Sequence, residues 1–396
     1  MTLHEYLKKV YNKITPKVVQ SWIIQNEDDR GILRRLDYAY GLVPDVGEPN
    51  PQGTNPNDRN SNGLLRILKS INYGKNPEIE YFIQRVEETC NTIKDLHCLF
   101  LVADYEQFHQ DTTTFLHRFY SQMNDPSKAL TMDMPNLTPF FRMRELEPQE
   151  DTNDAILEFF HVPFKKRYLM GTYRYSIPGY PSLYGSSSVY AAWEEMGRKT
   201  ITNYGYTAYS TIEPIRLLDL RWIFNKDITK YESCLKHYIL RLPIIIACSM
   251  RVLQSSDRFV PEYIFSQQVF QWLMSLLKKN PKSPMGVLYT STKFSIWEAF
   301  CKKEIMIAEM TNYALLAYTT AAETADYSES LAAKLKVRIP YWYTNEVSAQ
   351  TCPYAILKEI QTTLMTHGGK GTNYRQMKRC LENDKKKKTI NSTIAS

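Results

Sequence analysis

Residues 167–198, RYLMGTYRYSIPGYPSLYGSSSVYAAWEEMGR, are the stretch that decides the fold. They contain an arginine in an expected short strand (174–176), a Pro-Gly turn, a second strand ending in Tyr184, and a serine run that can cap a helix. Glu194 and Glu195 lie on that helix and point in different directions, since adjacent helical residues are about 100° apart. An arginine suits phosphate oxygens, and a carboxylate can stabilise positive charge on a sugar ring. These residues therefore suggest a site for an anionic, partly aromatic ligand.

The pattern of apolar residues differs between the first 123 residues and the part of the chain that contains this stretch. Residues 1–43 and 64–123 repeat apolar side chains at spacings of three and four, which predicts amphipathic helices. Between them, residues 44–63 are almost entirely Pro, Gly, Asn, Asp and Ser, which predicts a mobile loop. After residue 126 the chain changes to short apolar segments punctuated by prolines.

The segments after residue 130 predict a mixture of strands and helices without regular alternation. Strands are expected near 140–144, 174–176, 182–184, 215–220, 285–289 and 313–318. Helices are expected at about 189–198, 231–251 and 263–278. This order favours an α+β domain over a doubly wound sheet. The predicted organisation is a helical N-terminal domain (1–130), an α+β catalytic domain (131–350), and a helical segment with a basic flexible tail (351–396).

The charge distribution restricts the class of partner. The chain has 49 Lys+Arg and 42 Asp+Glu, a net charge of +7. Residues 367–396 hold eight cations and two anions, so the remainder is close to neutral and nucleic acid is not an expected partner. The longest strongly apolar run, near 242–248, is far shorter than the roughly 20 residues of a membrane span. No secretory signal is visible, and seven cysteines without a CxxC pair predict reduced thiols in the cytoplasm and no metal site.

Several segments resemble the RES domain family, which is named for its Arg, Glu and Ser residues. Residues 174–184 (RYSIPGYPSLY) are similar to the family's arginine, glycine and tyrosine pattern, and 191–194 (AAWE) to its glutamate motif. Residues 140–144 (FFRMR) resemble its opening strand, and 285–291 (MGVLYTS) resemble the late strand that delivers the serine. The segments 215–219 and 261–264 also look similar. The resemblance spans about residues 138–320, roughly half of the chain.

The resemblance implies an ADP-ribosyltransferase-like fold that acts on NAD. By that resemblance Arg174 holds the dinucleotide and Tyr184 packs against nicotinamide. Glu194 hydrogen-bonds the nicotinamide ribose, and Ser291 positions the substrate. The further candidates for substrate binding are Arg142, Arg144, Tyr175 and Glu195. Glu195 competes with Glu194 for the catalytic role, and the position of Glu194 after Tyr190-Ala-Ala-Trp, which resembles the family's glutamate motif, favours Glu194. Arg142 and Arg144 compete for the position on the opening strand.

The function expected from the resemblance is that of an NAD+ glycohydrolase, the toxin of a toxin and antitoxin pair or of an antiviral defence module. NAD is then a substrate, and no cofactor is expected. One alternative is an ADP-ribosyltransferase that modifies a macromolecule. The other is a non-catalytic binding protein that keeps the fold. An inhibitory antitoxin or regulatory protein is expected to bind the N-terminal helical domain, and the chain is expected to form a homo-oligomer.

Overall fold

The computed structural model describes residues 1–23, 31–42, 63–123, 131–135, 138–148, 152–253, 259–293, 310–319, 326–344 and 353–366. The predicted mobile loop, apart from Gly63, and the basic tail from residue 367 onward lie outside these ranges.

The N-terminal part is helical, as the spacing of apolar residues predicts. Its helices are α1 (Leu3–Lys13), α2 (Pro16–Ile23), α3 (Ile32–Tyr40), α4 (Leu64–Lys69), α5 (Pro77–Leu101) and α6 (Tyr105–Met123). The start of α1 is fixed by a capping box, in which Thr2 and Glu5 satisfy each other's backbone N–H groups. The start of α5 combines an Asn76 cap with proline at the first helical turn.

One mixed sheet of nine strands forms the centre of the described part of the chain. Its strands are β1 (Thr131–Met134), β2 (Pro139–Glu145), β3 (Ser182–Ser186), β4 (Tyr204–Thr211), β5 (Ile215–Leu220), β6 (Gly286–Thr290), β7 (Thr311–Leu316), β8 (Leu335–Val337) and β9 (Tyr341–Trp342). The strand order is β1-β5-β6-β7-β3-β2-β4-β8, and β9 pairs with β4. The β5–β6 pair is parallel, and the other pairs are antiparallel.

The helices between the strands are α7 (Thr152–Phe159), α8 (Val189–Glu195), α9 (Glu232–Ser249), α10 (Ile264–Lys279) and α11 (Glu329–Ala332). Helix α12 (Pro353–Thr366) follows the last strand, β9. Short 3-10 turns occur at Phe164–Leu169, Ile201–Asn203, Lys226–Lys230 and Pro261–Tyr263. The apolar run 242–248 belongs to α9, which is buried from Leu235 onward almost without interruption. Helix α9 is buried on nearly all sides because α1 packs on it from one direction and β5 and α10 pack on it from others. Within the described ranges, each helix is too short or too polar to cross a bilayer.

The predicted α+β class is confirmed, since the molecule combines a mixed sheet with many helices. The prediction of a strand at 174–176 is wrong, because the chain forms a turn there. The Ser176 hydroxyl accepts the N–H of Tyr173 and donates to its carbonyl, so these groups need no neighbouring strand. The chain then reverses at Gly179 (φ +71°), where the Tyr180 N–H donates to the carbonyl of Ile177.

The N-terminal helices pack directly on α9 through tyrosines. The Tyr40 hydroxyl donates to the carbonyl of Pro243 (2.8 Å), and the Tyr11 ring meets that of Tyr238 with 6.2 Å between centroids. Apolar residues of both parts belong to a single buried cluster. The boundary at residue 130 between two domains stays a prediction.

Two histidines, His97 and His161, are buried in the fold. Burial lowers the pKa of His97 to about 4 and that of His161 to about 3. In the neutral tautomer, His161 donates from Nδ1 to the carbonyl of Val162 and accepts the Ser328 N–H at Nε2. A second ring proton would face that donor.

We therefore expect the free energy of unfolding to fall as the pH drops from 6.5 toward 4. In this range the unfolded chain binds protons that the folded chain excludes, and each histidine contributes a slope of up to about 1.4 kcal/mol per pH unit. Urea denaturation between pH 7 and pH 5 measures this slope. His97→Leu should reduce this slope by about the contribution of one proton, because the variant lacks one of the two buried imidazoles. An unchanged slope would show that His97 does not contribute to it.

Candidate functional site

A cleft of about 730 Å³ lies against β2, β3 and α8, a size suited to a small-molecule ligand. Its lining includes four predicted site residues from the sheet and turn, Arg142, Arg144, Arg174 and Tyr184, together with Glu195 of α8. Arg251 and Lys293 add two more cations, and Glu145 adds one more carboxylate. Five cations against two carboxylates give the cleft a positive potential, which favours an anionic ligand.

The junction of β3 and α8 brings the quoted stretch to the cleft. Ser188 caps α8, because its Oγ accepts the N–H of Ala191 at 3.0 Å. Gly185 follows Tyr184 where Phe140 of β2 crosses the strand, and a Cβ there would lie 2.5 Å from the Phe140 ring. A glycine at this position therefore lets β3 approach β2 closely enough to line the cleft.

Tyr184 is held rigidly by the backbone of Tyr175. Its hydroxyl donates to the Tyr175 carbonyl (2.5 Å) and accepts the Tyr175 N–H (3.1 Å), and burial raises its pKa above the ordinary value. The ring of Tyr173 packs beside it, with 5.8 Å between centroids. The side chain of Tyr175 is itself fully buried beside Tyr289 and is not part of the cleft lining in the described residues. Tyr175 thus acts on the cleft through its backbone.

Arg174 joins the cleft to the end of α9. Its guanidinium donates to the carbonyls of Cys248 (2.8 Å) and Met250 (2.7 Å), and to the hydroxyl of Thr292 (3.2 Å). The ring of Tyr263 lies 4.9 Å away, in cation–π geometry. These contacts use three of the five N–H donors of an arginine, and the side chain also lines the cleft. A cation at the carbonyl end of a helix is also favoured by the helix dipole.

Arg142 and Arg144 lie on the same strand and face different surroundings. Arg142 donates from Nη1 to the Tyr184 carbonyl (2.8 Å), and its buried Nε has no acceptor in the described part of the chain. Burial lowers the pKa of Arg142 to about 10, so it is still a cation at neutral pH. Arg144 instead donates to the carbonyl of Glu158 and pairs with its carboxylate at 3.8 Å. Arg142 is therefore the better placed of the two for an anion.

Glu195 is oriented by two hydrogen bonds to one of its oxygens. The hydroxyl of Ser291, at the end of β6, and the amide of Asn312 on β7 (2.6 Å) both donate to Oε1. Asn312 is fixed in turn by the Ser186 hydroxyl, which donates to Oδ1 at 2.7 Å. Oε2 makes no hydrogen bond to a described residue, and the side chain lines the cleft. The arrangement presents a carboxylate oxygen to a ligand.

Glu194 lies away from this arrangement. It is 3% exposed, and Oε2 accepts from the Arg198 Nε at 2.8 Å along the same helix. The pKa of Tyr190 is raised by burial and by the hydrogen bond of Tyr190 to Glu194. Within the described residues, the cleft lining includes Glu195 and not Glu194. The predicted catalytic role of Glu194 stays a prediction, but the structure brings only its neighbour to the cleft.

Four residues expected to converge do so in part. Arg174 and Tyr184 line the cleft, Ser291 supports Glu195 from behind, and Glu194 faces another direction. Sequence reasoning missed Asn312 and Arg251. The sequence held a signal for Asn312, since its amide side chain lies in a strand, TNYALL, whose later residues are aromatic or apolar. The sequence held no signal for Arg251, because only tertiary packing brings this residue to the cleft.

Comparison with curated proteins finds a relative in Bacillus subtilis (strain 168) that carries the name "Putative toxin YopC". It is 30% identical over 246 residues, which are 57% of this chain and 52% of the relative. The chain thus spans about half the length of the curated relative that it matches. No family model matches the chain. No solved structure matches it either.

Proposed function

We propose that the chain is an NAD+ glycohydrolase of the RES type, with an ADP-ribosyltransferase-like catalytic fold, and that it acts as a toxin. The observation that carries the proposal is the pairing, in one cleft, of cationic and aromatic side chains with an oriented carboxylate, Glu195. The relative named as a toxin supports the biological setting.

The charges in the cleft match those of NAD. Its two phosphates are negative, and Arg142 has no ion pair with a described carboxylate, so a bound pyrophosphate would supply the missing counter-charge. The nicotinamide ring is flat and cationic, and Tyr184 offers a rigid ring face to it. Positive charge on the protein therefore meets the phosphates, while aromatic surface meets the base.

The chemistry requires few groups. Nicotinamide leaves NAD as a neutral molecule when the glycosidic C–N bond breaks, so no acid has to protonate it. The ribose then carries oxocarbenium-like positive charge, which the carboxylate of Glu195 stabilises. Water adds to the anomeric carbon and loses one proton, giving ADP-ribose. Ser291 and Asn312 hold Glu195 before the charge develops, so little reorganisation is needed.

Incubating the purified protein with NAD tests the proposal. We expect one nicotinamide and one ADP-ribose for each NAD consumed, measured by liquid chromatography. Heat-denatured protein is the control. If NAD stays intact under conditions in which the protein binds it, the hydrolase proposal is wrong.

Transfer to a macromolecule is a second candidate, and the rim of the cleft favours it. Leu169 and Tyr173, which line the cleft, are 58% and 48% exposed, and the neighbouring Tyr168 is 80% exposed. Exposed apolar and aromatic side chains of this kind often contact another macromolecule. Labelled NAD added to a cell lysate separates the two activities, because only a transferase leaves label on a protein or nucleic acid.

A further inference from the structure

Residues 248–253, here called the wall segment, connect the end of α9 to one side of the cleft. Arg251 and Val252 of this segment line the cleft together with Arg174. Arg251 is exposed, and no carboxylate in the described ranges forms an ion pair with it. Its guanidinium is therefore available to an anion in the cleft.

The backbone of Arg251 is held from the opposite side by the N-terminal helices. Its N–H donates to the carbonyl of Ile23, the last residue of α2, at 3.0 Å. Its carbonyl accepts from Nη2 of Arg35, on α3, at 2.6 Å. Both polar backbone groups of this one residue thus bind to the N-terminal helices.

Arg35 is itself fixed by a buried ion pair. It is 1% exposed, and its Nη1 donates at 2.5 Å to Oε1 of Glu262, which is 5% exposed. The same oxygen accepts the N–H of Leu253, at the far end of the wall segment. Glu262 also precedes Tyr263, whose ring lies beside the Arg174 guanidinium. One buried pair therefore holds the wall segment at two points, the carbonyl of Arg251 and the N–H of Leu253.

We infer that Arg251 binds the phosphates of the substrate, and that the N-terminal helices position it through Ile23 and Arg35. Arg35 is then a positioning residue, because it touches the backbone of Arg251 and not the ligand. This inference gives the helical N-terminal part a role within the site itself. It rests on the proposed function for the identity of the substrate, but the binding of phosphates can be measured without turnover.

Calorimetric titration with ADP-ribose tests Arg251 directly. Arg251→Ala should weaken binding of ADP-ribose by about ten- to a hundred-fold, as expected for loss of a charge-assisted contact. The KM for NAD should rise by a similar factor, while kcat changes by less than about threefold, because the group contacts ground state and transition state alike. Thermal unfolding should stay close to that of the wild type, since the side chain is exposed.

The double variant Arg35→Gln, Glu262→Gln tests the positioning role and removes both charges, so that no unpaired charge stays buried. It should weaken ADP-ribose binding in the wild-type background and have little further effect in the Arg251→Ala background. Tyr40→Phe is the matched control, since it removes a different bond between α3 and α9 and should leave the affinity unchanged. Equal losses of affinity in both backgrounds would assign Arg35 a purely structural role and overturn the inference.

The outcomes separate this inference from the proposed hydrolase. If NAD is not hydrolysed but Arg251→Ala weakens ADP-ribose binding, the hydrolase proposal fails and the inference holds. If NAD is hydrolysed and Arg251→Ala binds ADP-ribose as tightly as the wild type, the inference is overturned alone. If the wild type does not bind ADP-ribose, the inference is overturned as well.

Discussion

Glu195→Gln is expected to lower kcat for NAD hydrolysis by about 10²- to 10³-fold, the usual effect of removing one oriented group that stabilises transition-state charge. The amide keeps the size of the side chain but loses the negative charge that, under the proposed function, faces the ribose. Ser291 and Asn312 can still donate to the amide oxygen, so the fold should be retained. Steady-state kinetics and thermal unfolding measure the two effects separately.

Glu194→Gln is the matched control, because it makes the same chemical change one residue away. Glu194 is buried, pairs with Arg198 along the same helix and does not belong to the cleft lining in the described residues. Because the change lies outside the cleft, we expect kcat on the folded fraction to change by less than about threefold in this variant. The reverse result, with Glu194→Gln inactive and Glu195→Gln active, would assign the catalytic carboxylate to Glu194.

The same two variants test the proposed toxicity. Expression of the wild type in growing bacteria should deplete cellular NAD and stop growth, and Glu195→Gln should do neither. Glu194→Gln should behave like the wild type. Growth arrest by the Glu195→Gln variant at equal protein level would show that toxicity has another cause.

Arg174→Ala should reduce both activity and stability, since this side chain binds two buried carbonyls and lines the cleft in which we propose that NAD binds. The variant leaves the carbonyls of Cys248 and Met250 without their donor in a buried site, which costs about 2–5 kcal/mol of the free energy of unfolding. It also removes a cation from the cleft, and we expect kcat/KM for NAD to fall at least about a hundred-fold. Urea denaturation and kinetics on the folded fraction measure the two losses.

Arg216→Ala is the control for a generic loss of an arginine. Arg216 pairs with Asp133 on the surface of the sheet, and the Arg216 side chain is 44% exposed. Its removal should therefore lower the free energy of unfolding by under about 1 kcal/mol.

A second variant, Arg174→Lys, keeps the charge but not the fork of donors. One ammonium group is a poor replacement for contacts to two carbonyls and a ligand. If Arg174→Ala is as stable and as active as Arg216→Ala, the assigned role of Arg174 is wrong.

The elements that the sequence predicted well are those governed by local periodicity. The helices of the N-terminal part, α8, α9 and α10 follow the spacing of apolar residues, and β5 was predicted with its observed bounds, Ile215–Leu220. The strand β4 was missed, although it lies in the sheet between β2 and β8. Its sequence, YGYTAYST, is buried on both faces and so lacks the apolar and polar alternation of a half-exposed strand.

The candidate site was predicted as a set of residue types, and tertiary packing decided their roles. The sequence placed Arg174, Tyr184 and a glutamate within one stretch, and it raised Ser291 and Arg142 as partners from distant strands. It favoured Glu194, yet α8 packs against β2 and α12 in a way that turns Glu195 to the cleft. Neighbouring helical residues differ by about 100°, so the choice depends on where other elements lie.

By itself, then, the sequence determined the α+β class, the helices at each end, and the stretch that carries the candidate site. Local periodicity, turn residues and caps depend on neighbours a few positions away, so the sequence alone predicts the elements that they form. Only the tertiary structure brought Asn312 and Ser291 onto Glu195, and only it placed Arg251 in the cleft by way of Arg35. Those contacts join residues about 100 to 220 positions apart, and their formation depends on the packing of the whole core.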